Sequence, residues 1–188
     1  MMRELADNIL DIAQNSIAAG ASLVEIDISV SRAQDTVSLA FIDDGCGMSE
    51  DMVRAVCDPF TTTRKTRKVG LGLPLLKMTA QATGGEMFIA SKLGEGTTVR
   101  VTFGLSHIDR PPMGDVPGVL YTLVLMNPTT DFRFTLDYDG KTFALDTREV
   151  REAVAPIPLN HPEISAWIRD CLYLAVWAEG KHITTLEG

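Results

Sequence analysis

"TVSLAFIDDGCGMSEDM", Thr36 to Met52, runs from an apolar segment through two adjacent carboxylates into glycines at 45 and 47. The opening "TVSLAFI" is apolar nearly throughout, which predicts a strand buried on both faces. Gly45 and Gly47 predict a turn that another group can approach closely. Asp43 and Asp44 between them leave several chemistries open: a metal site, an acid–base pair, a ligand contact, or the decoration of a turn. A calcium loop requires acids at alternate positions and a Glu at the twelfth, and "DDGCGMSEDM" lacks that spacing.

The flanking segments set this turn in an α+β protein. "RELADNILDIAQNSIA", 3–18, carries Leu5, Ile9, Ile12, Ala13 and Ile17 at helical spacing and predicts a helix with a core stripe. "LVEIDIS", 23–29, alternates with period two, with Val24, Ile26 and Ile28 on one face. "GLPLLKMTAQATGG" predicts a second helix closed by glycines, and "EMFIAS" and "TTVRVTF" predict two further strands. Helices grouped over mostly hairpin-connected strands make a two-layer α/β sandwich.

"SHIDRPPMGDVPG", 106–118, holds three prolines and two glycines and is the best seam in the chain. It predicts a first domain over 1–106, a linker over 107–118 and a small α+β module over 119–188. That module is expected to contain three strands, "VLYTLVLM", "FRFTLD" and "KTFALD", the last two joined by a "YDG" hairpin turn. "PEISAWIRDCLYLAVWAEG" predicts a helix with Ile164, Trp167, Ile168, Cys171 and Leu172 on one face, and Trp167 and Trp177 are expected in the core.

Composition narrows the function classes. The 188 residues are 45% hydrophobic with a formal net charge of -8, the profile of a chain that buries a core and lacks the basic field of general nucleic-acid binders. The apolar runs are too short to span a bilayer, and "MMRELADNIL" has no signal-peptide pattern, so a cytoplasmic protein without membrane contact is expected. Cys46, Cys57 and Cys171 match neither a disulfide framework nor a zinc spacing and are read as reduced thiols.

Inside the first helix, Glu4, Asn8, Asp11 and Asn15 share one polar face between apolar flanks. With the following "QNSIAAGAS", this stretch resembles the N-box of the GHKL family, the histidine-kinase-like ATPases with a Bergerat ATP-binding fold. The resemblance extends from Glu4 to about Phe103 through four motifs in the family's order. It implies ATP with Mg²⁺ as the ligand, an Asn15 amide oxygen on that Mg²⁺, and Asn8 on the same nucleotide-facing helix. A Glu in the ATPase branches acts as general base, and its position is taken here by Asp11. The shorter side chain reaches about 1.5 Å less far, roughly one C–C bond.

The D-x-G-x-G motif of the family implies that Asp43 accepts a hydrogen bond from the adenine amino group. Gly45 and Gly47 would let the backbone approach the base, with Met48 beside them and Asp44 a spacer facing solvent. "CDPFTTTRKTRKVGLGLPLLK" resembles the phosphate-covering lid and glycine box of histidine kinases. It implies nucleotide contacts from Phe60, Thr62, Thr63, Arg64, Lys65 and Lys68, then from Val69, Gly70, Leu71, Gly72 and Leu73. A helix opening at this box can present its first N–H groups to phosphate. "GEGTTVRVTF" resembles the last box, which implies that Thr97 holds the water between Asp43 and adenine.

The family's kinases carry a phosphoacceptor helical hairpin upstream. Here the chain opens on the N-box helix, and His107, His161 and His182 all follow the nucleotide domain. The expectation is a stand-alone histidine-kinase-like signalling module acting on a separate protein, with a protein partner contacted through the C-terminal module and homodimerisation left open. The alternatives are an ATPase switch with slow hydrolysis and a non-catalytic ATP-binding adaptor.

Overall fold

The computed structural model describes residues 4–57 and 72–177. Helix α1 spans Leu5–Ala18, strands β1 and β2 span Leu23–Ser31 and Thr36–Asp43, and α2 spans Glu50–Cys57. Helix α3 covers Gly72–Ala82, followed by β3 at Met87–Lys92, β4 at Gly96–Gly104 and α4 at Val116–Met126. The chain continues with β5 at Asp131–Tyr138, β6 at Lys141–Asp146, α5 at Thr147–Val154 and α6 at Pro162–Trp177.

One six-stranded sheet, in the order β3-β4-β2-β1-β5-β6, carries all the strands. Every pairing is antiparallel except β1 with β5, which run parallel from Leu23 opposite Asp131 to Val30 opposite Tyr138. The result is the mixed, mostly antiparallel sheet of a Bergerat-type α+β sandwich. Val24, Ile26, Ile28, Val37, Leu39, Phe41, Val99, Val101, Phe103, Phe132 and Phe134 lie on the covered face and join Leu5, Ile9 and Ile12 of α1 in one core.

Because helices cover that face alone, β2 alternates between buried and half-buried positions along its whole length. The two-sided burial expected of "TVSLAFI" is therefore corrected: Ser38, Ala40 and Ile42 point to the other face and are only half-buried.

A larger correction concerns "VLYTLVLM", which is the body of helix α4. Val116, Pro117, Leu120, Leu123 and Val124 are buried, and Leu125 is half-buried, so apolar residues on most sides of the helix erase the periodicity that separates helix from strand. The Asp115 carboxylate caps it by accepting from Gly118 N at 3.0 Å. The "YDG" turn forms as expected, with Asp139 and Gly140 both at positive φ between β5 and β6.

The stretch expected as a separate C-terminal module builds no sheet of its own: β5 and β6 extend the sheet of the first hundred residues beyond β1. The seam is also joined to the start of α1, where Leu5 N donates to Pro112 O at 2.8 Å and Ala6 N to Met113 O at 2.9 Å. Those two donors belong to the first turn of α1, whose N–H groups have no partner within the helix, and Glu4 provides no side-chain cap. On α6, Ile168 and Leu172 are fully buried as expected, but Trp167 is 53% exposed, so it lies outside the core. The Trp177 side chain lies outside the described part of the structure.

Candidate functional site

The C-terminal half of α1 and the ends of β2 and β4 converge on a cavity of about 340 Å³, within the range of small-ligand sites. Ile12, Asn15, Ser16, Ala18 and Ala19 line one side, and Met52, Val56 and Leu73 come from α2 and α3. Val99 of β4 and the turn residues Cys46, Gly47 and Met48 complete the lining, with Asp43 and Thr97 as its sheet-borne polar members. The wall is thus mainly apolar, with a few placed polar groups.

Asp43 and Thr97 sit directly opposite each other on the helix-facing side of the β2–β4 pair. Asp43 is 9% exposed, and its Oδ2 accepts from the Ser16 hydroxyl at 2.6 Å. Its Oδ1 accepts from Gly45 N at 3.0 Å. A carboxylate can accept about four hydrogen bonds, so two described donors leave capacity for a ligand N–H. Thr97 Oγ1 lies 2.9 Å from Ser91 Oγ, and Ser91 Oγ in turn donates to Gly96 O and accepts from Met48 N, each at 2.8 Å. This chain ties the turn after β2 to the turn before β4.

The glycines make that joint possible. Gly47 has φ +64° and Gly96 φ +107°, where L side chains are strained. A Cβ at Gly47 would come closer than 3.0 Å to the Lys92 carbonyl, and one at Gly96 equally close to the carbonyl of Asp43. Cys46 N donates to Ala19 O at 2.9 Å and Gly94 N to Cys46 O at 2.8 Å, fastening the turn to α1 and to the β3–β4 hairpin.

Asp44 is corrected from spacer to structural anchor. It is exposed, but its Oδ1 accepts from Ser22 N at 2.8 Å and Leu23 N at 2.9 Å, and its Oδ2 accepts from the Ser22 hydroxyl. Partial desolvation pushes this carboxyl upward, but the Leu23 and Ser22 donors outweigh it and hold the group below its ordinary value. The two neighbouring aspartates therefore split their work: Asp43 faces the cavity, and Asp44 fixes the start of β1.

Of the other residues singled out from sequence, Asn15, Gly47, Met48, Leu73 and Thr97 line the cavity together with Asp43. Gly45 lies just behind Asp43, where a Cβ would press on Ala19. Gly72 starts α3 as the structure describes it. Asn8 is buried and its amide donates to Glu4 O at 3.1 Å, one turn back along α1; it does not line the cavity. Asp11 is half-buried one turn before Asn15, also outside the lining, and desolvation pushes its carboxyl upward. Phe60, Thr62, Thr63, Arg64, Lys65, Lys68, Val69, Gly70 and Leu71 lie outside the described residues. Ser16, Ile12 and Ser91 were not singled out as site residues; Ser16 directly follows Asn15 in the sequence.

Fold and cavity together define a Bergerat-type sandwich with a small-ligand site between its helices and the ends of two adjacent strands. The chain belongs to the family of histidine kinase-, DNA gyrase B- and HSP90-like ATPases, the GHKL family, whose model matches residues 1–107. A putative sensor protein of Shewanella frigidimarina is 32% identical over 109 residues, covering 57% of this chain and 16% of its own length. The sensor histidine kinase AruS of Pseudomonas aeruginosa is 30% identical over 133 residues, covering 65% of this chain and 13% of that one. The chain thus spans about a sixth or less of the length of these two curated relatives. The crystal structure of the N-terminal domain of a DNA repair protein shares the fold, with a TM-score of 0.53 at 16% identity, over 77% of this chain and 53% of that one. Among the described residues, no helix is long and apolar enough to cross a membrane.

Proposed function

We propose that the chain binds ATP with Mg²⁺ in the α1–β2–β4 cavity and acts as a histidine-kinase-like signalling module on a separate protein. The observation that carries this reading is Asp43: a buried carboxylate in a mainly apolar cavity, held by Ser16 and Gly45, with acceptor capacity left for an amino group. An adenine amino group in that position would replace water as the donor, while Ile12, Met48, Leu73 and Val99 would enclose the ring. Thr97, opposite Asp43, suits a water or ring nitrogen beside it.

Asn15 fits the metal through the chemistry of its donor. It lines the cavity and offers one neutral amide oxygen, the kind of ligand that adds to an ion already surrounded by phosphate oxygens and water. When bound, Mg²⁺ would supply charge neutralisation for the phosphates. The residues of this chain would orient the base and exclude water from it. The lid contacts of 60–71 and the division of labour between an ATP-binding 1–106 and a partner-facing 119–188 belong to the same proposal.

A second reading, the ATPase switch, draws on Asp11. Burial pushes its carboxyl upward, the direction that makes a carboxylate a stronger proton acceptor, and it stands one turn from Asn15 on the same helix. ATP titration followed by phosphate-release and phosphate-transfer assays separates these outcomes. Transfer of labelled phosphate to a co-purified protein supports the kinase reading, and hydrolysis lost in Asp11→Asn supports the switch. Tight binding with neither activity leaves an ATP-binding adaptor, and an absence of ATP binding overturns the proposal.

A further inference from the structure

Ser91, Thr97 and Asp43 stand in one row across β3, β4 and β2, each opposite the next in the register. Thr97 and Asp43 line the cavity, and Ser91 stands on the far side of Thr97, outside the lining. The Ser91 hydroxyl has three neighbours at hydrogen-bond distance: Met48 N and Gly96 O, each at 2.8 Å, and Thr97 Oγ1 at 2.9 Å. A serine hydroxyl holds one hydrogen and two lone pairs. Met48 N can only donate and Gly96 O can only accept, so the hydrogen goes to Gly96 O and one lone pair to Met48 N. The remaining lone pair faces Thr97, and the Thr97 hydroxyl gives its hydrogen to Ser91. The opposite orientation would leave Ser91 Oγ and Gly96 O 2.8 Å apart with no hydrogen between them.

We infer that Ser91 is a positioning residue for base recognition: it locks the Thr97 hydroxyl as an acceptor, so that the polar end of the cavity selects a base carrying an amino group. The inference rests on the nucleotide reading above and adds to it the residue that sets the direction of the Thr97 bond.

The selection follows from counting hydrogens. Asp43 and Thr97 both present only acceptors, so a water between them and a base gives one of its two hydrogens to Thr97 and keeps one. With adenine, the amino group supplies Asp43, and the water's other hydrogen supplies the unprotonated ring nitrogen beside that amino group. Every acceptor is then served. A base without the amino group leaves Asp43 and the ring nitrogen to share one hydrogen, and a buried acceptor without a partner is costly. Once Ser91 is removed, the Thr97 hydroxyl can turn and donate to the water. The water then keeps both hydrogens and serves both acceptors. Ser91 thus acts through Thr97 without touching the ligand.

The test is isothermal titration of the full chain with ATP and with purine riboside triphosphate, which differs from ATP in lacking the amino group, each with Mg²⁺. The parent should prefer ATP by about tenfold or more, and Ser91→Ala, at matched circular dichroism, should shrink that preference at least about threefold. Ser91→Thr keeps the hydroxyl and should keep the preference. Thr97→Val deletes the hydroxyl that Ser91 orients; it should shrink the preference as Ser91→Ala does, and adding Ser91→Ala to it should change the preference no further. Thr97→Val carries the test by itself where Ser91→Ala does not fold. A purely structural Ser91 would lower both affinities equally. An unchanged preference in either folded variant, or a parent that binds the two nucleotides alike, overturns the inference while leaving ATP binding in place. A parent that binds neither nucleotide overturns the nucleotide reading and this inference with it.

Discussion

The Ser16 hydroxyl of α1 donates to Asp43 Oδ2 at the end of β2 across 2.6 Å, joining two elements 27 residues apart at the floor of the cavity. This bond sets the height of α1 over the sheet where the cavity opens. Ser16→Ala removes the donor and leaves a buried carboxylate oxygen short of a partner. The expected cost is about 1–3 kcal/mol of folding stability, together with weaker ATP binding. Paired thermal melts and ATP titrations of the variant check both.

Gly47 and Gly94 both have positive φ, but only Gly47 is crowded. Gly94→Ala meets open space and should cost only the conformational strain, about 1–2 kcal/mol. Gly47→Ala adds a collision with the Lys92 carbonyl and should lower the melting temperature distinctly further. Equal melting temperatures for the two variants would mean that the joint between the two turns yields more easily than its geometry implies.

Asp44 should make stability pH-dependent. Its carboxyl lies below its ordinary 3.8 in the folded protein, through the Leu23 and Ser22 donors that outweigh its desolvation. Its contribution is therefore present above the unfolded-state value and is lost as the pH falls through the lower folded-state value. Asp44→Asn should be less stable than the parent near neutrality, and the gap should close in acid below about pH 4. Urea melts at a series of pH values measure the gap.

The elements that were legible in sequence are those with one clear period. The stripe of α1, apart from half-buried Ile17, and the alternation of β1 have the buried residues that their spacing predicts. The all-apolar α4 had no period to read, though Asp115 followed by Pro117 was a helix-start signal lying inside the seam. Helix α5 was not expected from the sequence, although Asp146 and Glu149 stand at capping-box spacing before Val150. In the site, the glycine spacing pointed to the turn, but the bond from Ser16 to Asp43 is a tertiary fact that no local pattern carries. Asp44 shows the same limit, because its donors, Ser22 and Leu23, lie 22 and 21 residues upstream.

The parallel pairing of β5 with β1 has a consequence for truncation. Phe132 and Phe134 are fully buried on the covered face, beside Val24 and Ile26 of β1. Phe134→Ala should cost about 3–5 kcal/mol. A fragment ending at Ser106 would expose the β1 edge and lose the two carbonyls that cap α1, so it should be insoluble or non-cooperative in melting. A soluble 1–106 fragment with a sharp melt would show that the later strands are an accessory to the fold.

The central claim is that Asp43 reads the base of a bound adenine nucleotide. Isothermal titration of ATP with Mg²⁺ into the full chain and into Asp43→Asn tests it most directly. The account predicts measurable binding by the parent chain and a loss of at least about tenfold in the variant, the size expected when a hydrogen bond to a charged group is removed. Equal affinity in the two proteins, with both folded, would contradict it.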